Sequence, residues 1–220
     1  MKKIDTLFLS GGGINCIAFL GVFKYLIEHS MIDKNFKHFK NIVCVSGSAF
    51  FVLPFILGYS LEMTIKICLE FNYENLIDYH LFDINNLLED YGFYSNDFFT
   101  NICSVIFKKK GLSENITMKE LYNHTKINYV LKVTNLSDYK IDYINHISHP
   151  DLSVITAIKM TTCIPFIFKA IKYNEKYYVD GGLCGNFPLE YNKKIKSKNY
   201  LGIHIKKKDK KKKIDNIFDF

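Results

Sequence analysis

The sequence predicts an α/β fold, a layered domain whose mainly parallel central sheet is flanked by helices. Two observations carry this. Short apolar runs alternate with longer helical patterns along the chain, the arrangement that builds parallel sheets through crossover helices. Small-residue breaks also follow two of those runs directly, at Ser10-Gly11-Gly12-Gly13 and at Ser46-Gly47-Ser48, where an α/β chain turns from strand into helix.

Taken in order, residues 4–9 read as a buried strand, and residues 17–28, after the glycines, as an apolar helix. Residues 41–45 form a second strand and residues 50–57 a helix apolar on every side, which has to sit between layers. Residues 61–72 read as a helix, and residues 85–108 as one or two helices broken near Gly92. A short helix over residues 118–124 precedes a strand over residues 127–134. Residues 139–147 alternate in polarity and pair with that strand as a ribbon. Residues 153–163 are helical, and residues 176–179 and 200–205 supply the last strands.

A chain of 220 residues that is 48% hydrophobic and 23% charged has enough apolar mass for one core without a disulfide or metal staple. That balance excludes bulk disorder. All 29 basic residues are Lys, so no guanidinium fork is available to clamp an anion. Seven Lys of residues 206–213, set against Asp209 alone, account for +6 of the +7 net charge. The rest is nearly neutral. A nucleic-acid-binding domain spreads its charge over a folded face, so no specific nucleic acid is expected. The expected division is a folded domain over residues 1–205 and a Lys-rich tail over residues 206–220. The tail reads first as a solvated segment and second as an attraction for anionic lipid headgroups.

The six Cys show no C-x-x-C and no zinc spacing, which suggests reduced, mostly buried thiols and a cytoplasmic protein. Asp5 and the glycine run interrupt any signal-peptide core, and Pro54 with Ser46-Gly47-Ser48 spoils the apolar stretch over residues 42–59 as a membrane span. The expectation is no signal peptide and no transmembrane helix, with peripheral membrane contact left open.

Three motifs carry chemistry. Gly11, Gly12 and Gly13 lie between strand and helix, where backbone N–H groups converge without Cβ interference and can hold a phosphate or a developing oxyanion. No Gly-Lys-Ser/Thr follows, and the third glycine of G-x-G-x-x-G is missing, so neither nucleotide loop fits. Taken alone, the run is equally well a tight turn. The second motif is Cys44-Val45-Ser46-Gly47-Ser48. A nucleophilic serine needs a sharp strand-to-helix elbow with small residues at −2 and +2, which favours Ser46; Ser48 would have Phe50 at +2. A plain Ser-Gly-Ser turn is the competing reading. The third is Asp180-Gly181-Gly182 at a strand end, where a carboxylate can act as base toward a serine, or where an Asp-Gly turn simply reverses the chain.

In this order the motifs resemble the patatin-like phospholipase family. The match adds Ala18 to Val22, Gly58-Tyr59-Ser60, the segment Ala157 to Phe166 with Phe168-Lys169, and Asn186-Phe187-Pro188 after the Asp-Gly-Gly block. The short Lys-, Ile- and Asn-rich chain is most similar to viral members. The resemblance implies a three-layer patatin-like fold and a lipid acyl hydrolase of phospholipid esters that uses no metal or other cofactor. In it Ser46 attacks and Asp180 takes the proton, while Gly11, Gly12, Gly13 and Gly47 form the oxyanion hole. The seven His then need no catalytic role. Asn15 and Cys16 stand where the family has a basic residue and glycine, and Cys44 and Ser48 replace the elbow's flanking glycines. Those departures keep two alternatives open, a catalytically weak lipid- or partner-binding domain and a soluble small-ester hydrolase. Phe50, Phe51, Val52, Leu53 and Phe55 wall an acyl pocket or belong to the core. Phospholipid, or a membrane surface, is the expected partner; oligomeric state is not legible.

Overall fold

The structure, a computed structural model, describes residues 4–69 and 92–206. Its centre is a seven-stranded mixed sheet with the hydrogen-bonded path β7-β8-β4-β2-β1-β9, and β5 joined to β4. The strands are β1 (Thr6–Leu9), β2 (Asn41–Val45), β4 (Asn128–Asn135), β5 (Lys140–Ile144), β7 (Ile171–Tyr173), β8 (Lys176–Asp180) and β9 (Tyr200–Ile203). The core of the sheet, β9-β1-β2-β4, is parallel. β5 and β8 both run antiparallel to β4, and β7 to β8. A small parallel pair joins β3 (Gly92–Tyr94) to β6 (Phe166–Phe168).

The period-two alternation of the parallel strands separates two faces. Leu7, Leu9, Ile42, Cys44, Tyr129 and Leu131 face the main core. That core is closed by α1 (Ala18–Glu28), α2 (Gly47–Ile56), α3 (Leu61–Leu69), α4 (Asp97–Lys108), α5 (Met118–Thr125) and α6 (Val154–Thr162). Phe8, Val43 and Val130 face the other way, onto Tyr191, Phe187 and Ile195 of a thinner layer. This layer holds a 3-10 turn over Leu189–Tyr191 and the one-turn helix α7 (Asn192–Ile195). The result is three layers, with the sheet in the middle.

All ten residues of α2 are buried, as a helix apolar on every side requires. Inside the core Phe23, Phe36 and Phe55 form one aromatic knot, with ring centroids 4.6–5.2 Å apart.

Several element boundaries differ from expectation for local reasons. The first helix is preceded by a 3-10 turn over Gly13–Ile17, because Gly13 takes a left-handed φ of 55° that an α-helix cannot start from. α2 starts at Gly47 rather than residue 50, since the elbow residue itself is the N-cap. Gly92 opens a strand, and the helix that follows is capped at Asn96. The expected helical residues 70–72 and 85–91, and the tail from residue 207, lie outside the described residues. The hairpin β7–β8 turns on Asn174 and Glu175, both at positive φ, where Glu gives no recognisable turn signal.

Candidate active site

The register of the sheet brings the three motifs to one place. Leu9 pairs with Cys44, so the glycine loop leaves β1 beside the end of β2. Val45 pairs with Lys132 of β4, and the next β4 residue, Val133, pairs with Asp180. β5 occupies the opposite edge of β4 at these positions, pairing Leu131 to Asn135. β2 and β8 therefore share one edge of β4 and meet end to end. Ser46 and Asp180 are the two residues at that junction, at the carboxyl edge of the parallel strands where α/β folds place their ligands.

Ser46 sits at the sharp elbow, with φ 57° and ψ −137°, a sparsely populated backbone region for a side chain with Cβ. Neighbouring groups hold it there. Its N–H donates to Thr161 Oγ1 at 2.9 Å, and the Thr161 hydroxyl donates to the Lys132 carbonyl at 2.6 Å. Its carbonyl accepts the Ala49 N–H in the first turn of α2. Gly47 must be glycine, because a Cβ there would collide with the Gly13 carbonyl oxygen.

Ser48 is used differently. Its hydroxyl is fully buried, donates to the Val45 carbonyl at 2.7 Å and accepts the Val45 N–H at 3.0 Å. It cross-braces the elbow in the place of a flanking glycine.

Asp180 is buried at the end of β8. Burial pushes its carboxyl pKa up to about 6, against the opposing hydrogen bonds from the Ser46 side chain and from the Gly182 N–H. The latter bond to Oδ1 measures 2.7 Å. The Thr134 hydroxyl donates to the Asp180 carbonyl, and the Asp180 N–H donates to the Cys163 carbonyl at 2.8 Å. The carboxylate is thus fixed, desolvated and hydrogen-bonded to the elbow serine.

The glycine loop divides into two parts. Gly11 N–H donates to the Asn186 carbonyl, and Asn186 Nδ2 donates back to the Gly11 carbonyl, both at 3.0 Å. This corrects the expectation that Gly11 supplies an oxyanion donor, since its N–H is already taken. A Cβ at Gly11 would collide with Asn186 Oδ1. By contrast, the N–H groups of Gly12, Gly13 and Gly47 donate to no other atom among the described residues. Burial and the Asp180 charge push the Cys16 thiol up to about 12, so it stays neutral beneath the loop with its Sγ beside Gly12.

A cleft of about 220 Å³ opens at Ser46 and Gly47. Its walls are Gly13 and Ile14, Phe50 and Phe51, Phe98 and Phe99, and Thr162 with Ile164, Ile167 and Phe168. Phe50 and Phe51 thus line the cleft, whereas Val52, Leu53 and Phe55 belong to the core.

Three residues of this region carry structural roles that the sequence reading did not assign. Thr161 and Asn186 lie inside quoted motifs, but their partners are 115 and 175 residues away. Lys132 interrupts the apolar middle of β4, from Tyr129 to Val133, and that interruption is its signal in the sequence. Its buried Nζ donates to the Gly185 carbonyl and to Glu190 Oε1, each at 2.7 Å, anchoring the loop that follows Asp180. Burial alone would raise the pKa of Glu190, but Lys132 and the Tyr143 hydroxyl more than offset it and leave it lowered. Among the described residues no group of three His, Cys, Asp or Glu could hold a metal, and no helix is long and apolar enough to cross a membrane.

A sequence model of the patatin-like phospholipases matches residues 7–192. The chain belongs to the patatin-like phospholipase family. It is 27% identical over 207 residues to the probable lipid hydrolase 463L of Invertebrate iridescent virus 6, covering 90% of this chain and 68% of that one. It is also 27% identical over 188 residues to the uncharacterized protein R571 of Acanthamoeba polyphaga mimivirus, covering 86% of this chain and 61% of that one. Among solved structures, VipD from Legionella pneumophila shares the patatin-like fold with a TM-score of 0.68 at 14% identity, over 84% of this chain and 47% of VipD. The chain therefore spans less than half of VipD and about three-fifths of the mimivirus relative.

Proposed function

We propose that this chain is a lipid acyl hydrolase that cleaves carboxylic esters of phospholipids with a Ser46–Asp180 dyad. The observation that carries the proposal is the end-to-end meeting of β2 and β8, which hydrogen-bonds the strained elbow serine to a buried carboxylate beside an apolar cleft. Family membership and the named viral lipid hydrolase support the substrate class.

In the proposed mechanism the acyl chain lies in the cleft, placing the ester carbonyl over Ser46. Ionised Asp180 accepts the Ser46 proton as Oγ attacks. Gly12, Gly13 and Gly47 present the unspent N–H donors to the tetrahedral oxyanion, and each such donor typically contributes about 10²–10³-fold in rate. The proton on Asp180 then passes to the leaving alkoxide. Water, deprotonated by the same carboxylate, releases the fatty acid and restores Ser46. Asn186 does not touch the substrate in this scheme. It ties the glycine loop to the segment carrying Asp180.

A fluorophosphonate probe tests the nucleophile. The native chain should gain one adduct by intact mass, mapped to Ser46 and lost in Ser46→Ala. Labelling at another residue, or none in a folded native chain, would remove the proposed chemistry.

A further inference from the structure

A threonine inside a helix has a default partner. Its hydroxyl reaches back to the carbonyl four residues earlier and is satisfied locally. Thr64, Thr125 and Thr162 all do this, donating to the carbonyls of Ser60, Leu121 and Ile158 at 2.8–2.9 Å. Thr161, fully buried in the last turn of α6, does not. Its hydroxyl leaves the helix, donating to the Lys132 carbonyl of β4 and accepting the Ser46 N–H.

That bridge stands where the sheet loses a rung. Val45 and Lys132 are the last paired residues of β2 and β4, and Ser46 then turns out of the sheet at φ 57°. The Thr161 hydroxyl is interposed between the Ser46 N–H and the Lys132 carbonyl, so the two strands stay linked through the elbow. Both residues are buried, and a buried peptide group is costly to leave unpaired. The carboxylate is held by the same segment. The Asp180 N–H donates to the carbonyl of Cys163, two residues beyond Thr161, at 2.8 Å. Gly181 packs so closely on the Lys132 carbonyl that a Cβ there would collide with it. The end of α6 thus holds the backbone of Ser46 through a side chain and that of Asp180 through a carbonyl.

From this arrangement we infer that Thr161 is a positioning residue for the acyl transfer, its hydroxyl fixing the elbow backbone and so setting where Ser46 Oγ stands against Asp180 and the Gly47 N–H. Thr162 lines the cleft and Thr161 does not, so Thr161 acts through Ser46 rather than on substrate. The inference rests on the Ser46–Asp180 reading and names what keeps that pair aligned. Reacting groups have to be held to about 0.5 Å, so loss of the bridge should show in turnover and not in substrate binding.

Hydrolysis of a soluble short-chain ester gives kcat and KM, and the rate of fluorophosphonate labelling reads the reactivity of Ser46 apart from turnover. Thr161→Val keeps the shape and removes the hydroxyl. It should lower kcat and the labelling rate together by about ten- to a hundredfold, with KM nearly unchanged. Thr161→Ser keeps the bridging oxygen and should restore most of both. Thr64→Val removes the hydroxyl of an equally buried threonine that bonds only within its own helix region; it should melt lower than the native chain but keep the native kcat. Thr161→Ala carries the same test if Thr161→Val does not fold. A native kcat in folded Thr161→Val or Thr161→Ala, a serine variant as slow as the valine variant, or an equal fall in kcat in Thr64→Val would overturn the inference. A folded native chain that neither labels nor hydrolyses the ester would instead remove the Ser46–Asp180 reading, and the inference with it.

Discussion

Replacing Asp180 by Asn should stabilise the fold while removing the catalytic base. Burial holds the folded-state pKa of Asp180 at about 6, against an ordinary value of 3.8. Above both values the folded chain keeps a buried anion that the unfolded chain would expose to water, so the ionised carboxylate lowers stability at neutral pH. Between the two values the folded state holds the extra proton, and stability rises as pH falls through that window. The roughly two-unit difference corresponds to up to about 3 kcal/mol. Asn keeps the shape and its Oδ1 can still accept the Gly182 N–H, so little is lost in exchange. At pH 7.5 Asp180→Asn should therefore melt higher, by up to about 6–12 °C for a chain of this size. The gain should shrink below pH 6 and vanish near pH 4. Thermal unfolding of both chains by circular dichroism across that range measures it. A variant less stable than the native chain at pH 7.5, or a gain independent of pH, would refute the claim that this carboxylate is desolvated.

The same shift predicts that ester hydrolysis follows an acid limb with an apparent pKa near 6, falling about tenfold per pH unit below it. Ser48→Ala should leave the chemistry in place but cost about 1–3 kcal/mol, because it strips the hydrogen bonds to buried Val45; chemical denaturation reads the loss. Gly47→Ala should lower kcat by tenfold or more with little change in KM, since the new Cβ pushes the Gly13 carbonyl and the donors beside it. Lys132→Ala should destabilise the fold by about 1–3 kcal/mol, because the Gly185 carbonyl loses its donor while exposed Glu190 turns to water; a lowered midpoint in denaturant checks it.

The sequence carried the parts of this molecule that follow from local pattern. The strand over residues 41–45, the ribbon of β4 with β5 and the helix after Ser153 could be read from local apolar pattern. The choice of Ser46 over Ser48 came from the bulk of Phe50; the Ser48 hydroxyl is buried and bonded to Val45. What the sequence could not carry was pairing over long separations. β8 pairs antiparallel with β4 and arrives head-on to β2, a relation set by the register of β4. The same holds for Gly11. Its N–H looked free in a Gly-Gly-Gly run, and only the arrival of Asn186 shows that it is engaged. β6 and β7 escaped notice because each is three residues long, too short for a period to register.

The most direct test of the account is fatty-acid release from mixed phospholipid vesicles by four folded chains: native, Ser46→Ala, Ser48→Ala and Asp180→Asn. The account predicts release by the native and Ser48→Ala chains and none by the other two. Release by Ser46→Ala, or its loss in Ser48→Ala alone, would contradict it.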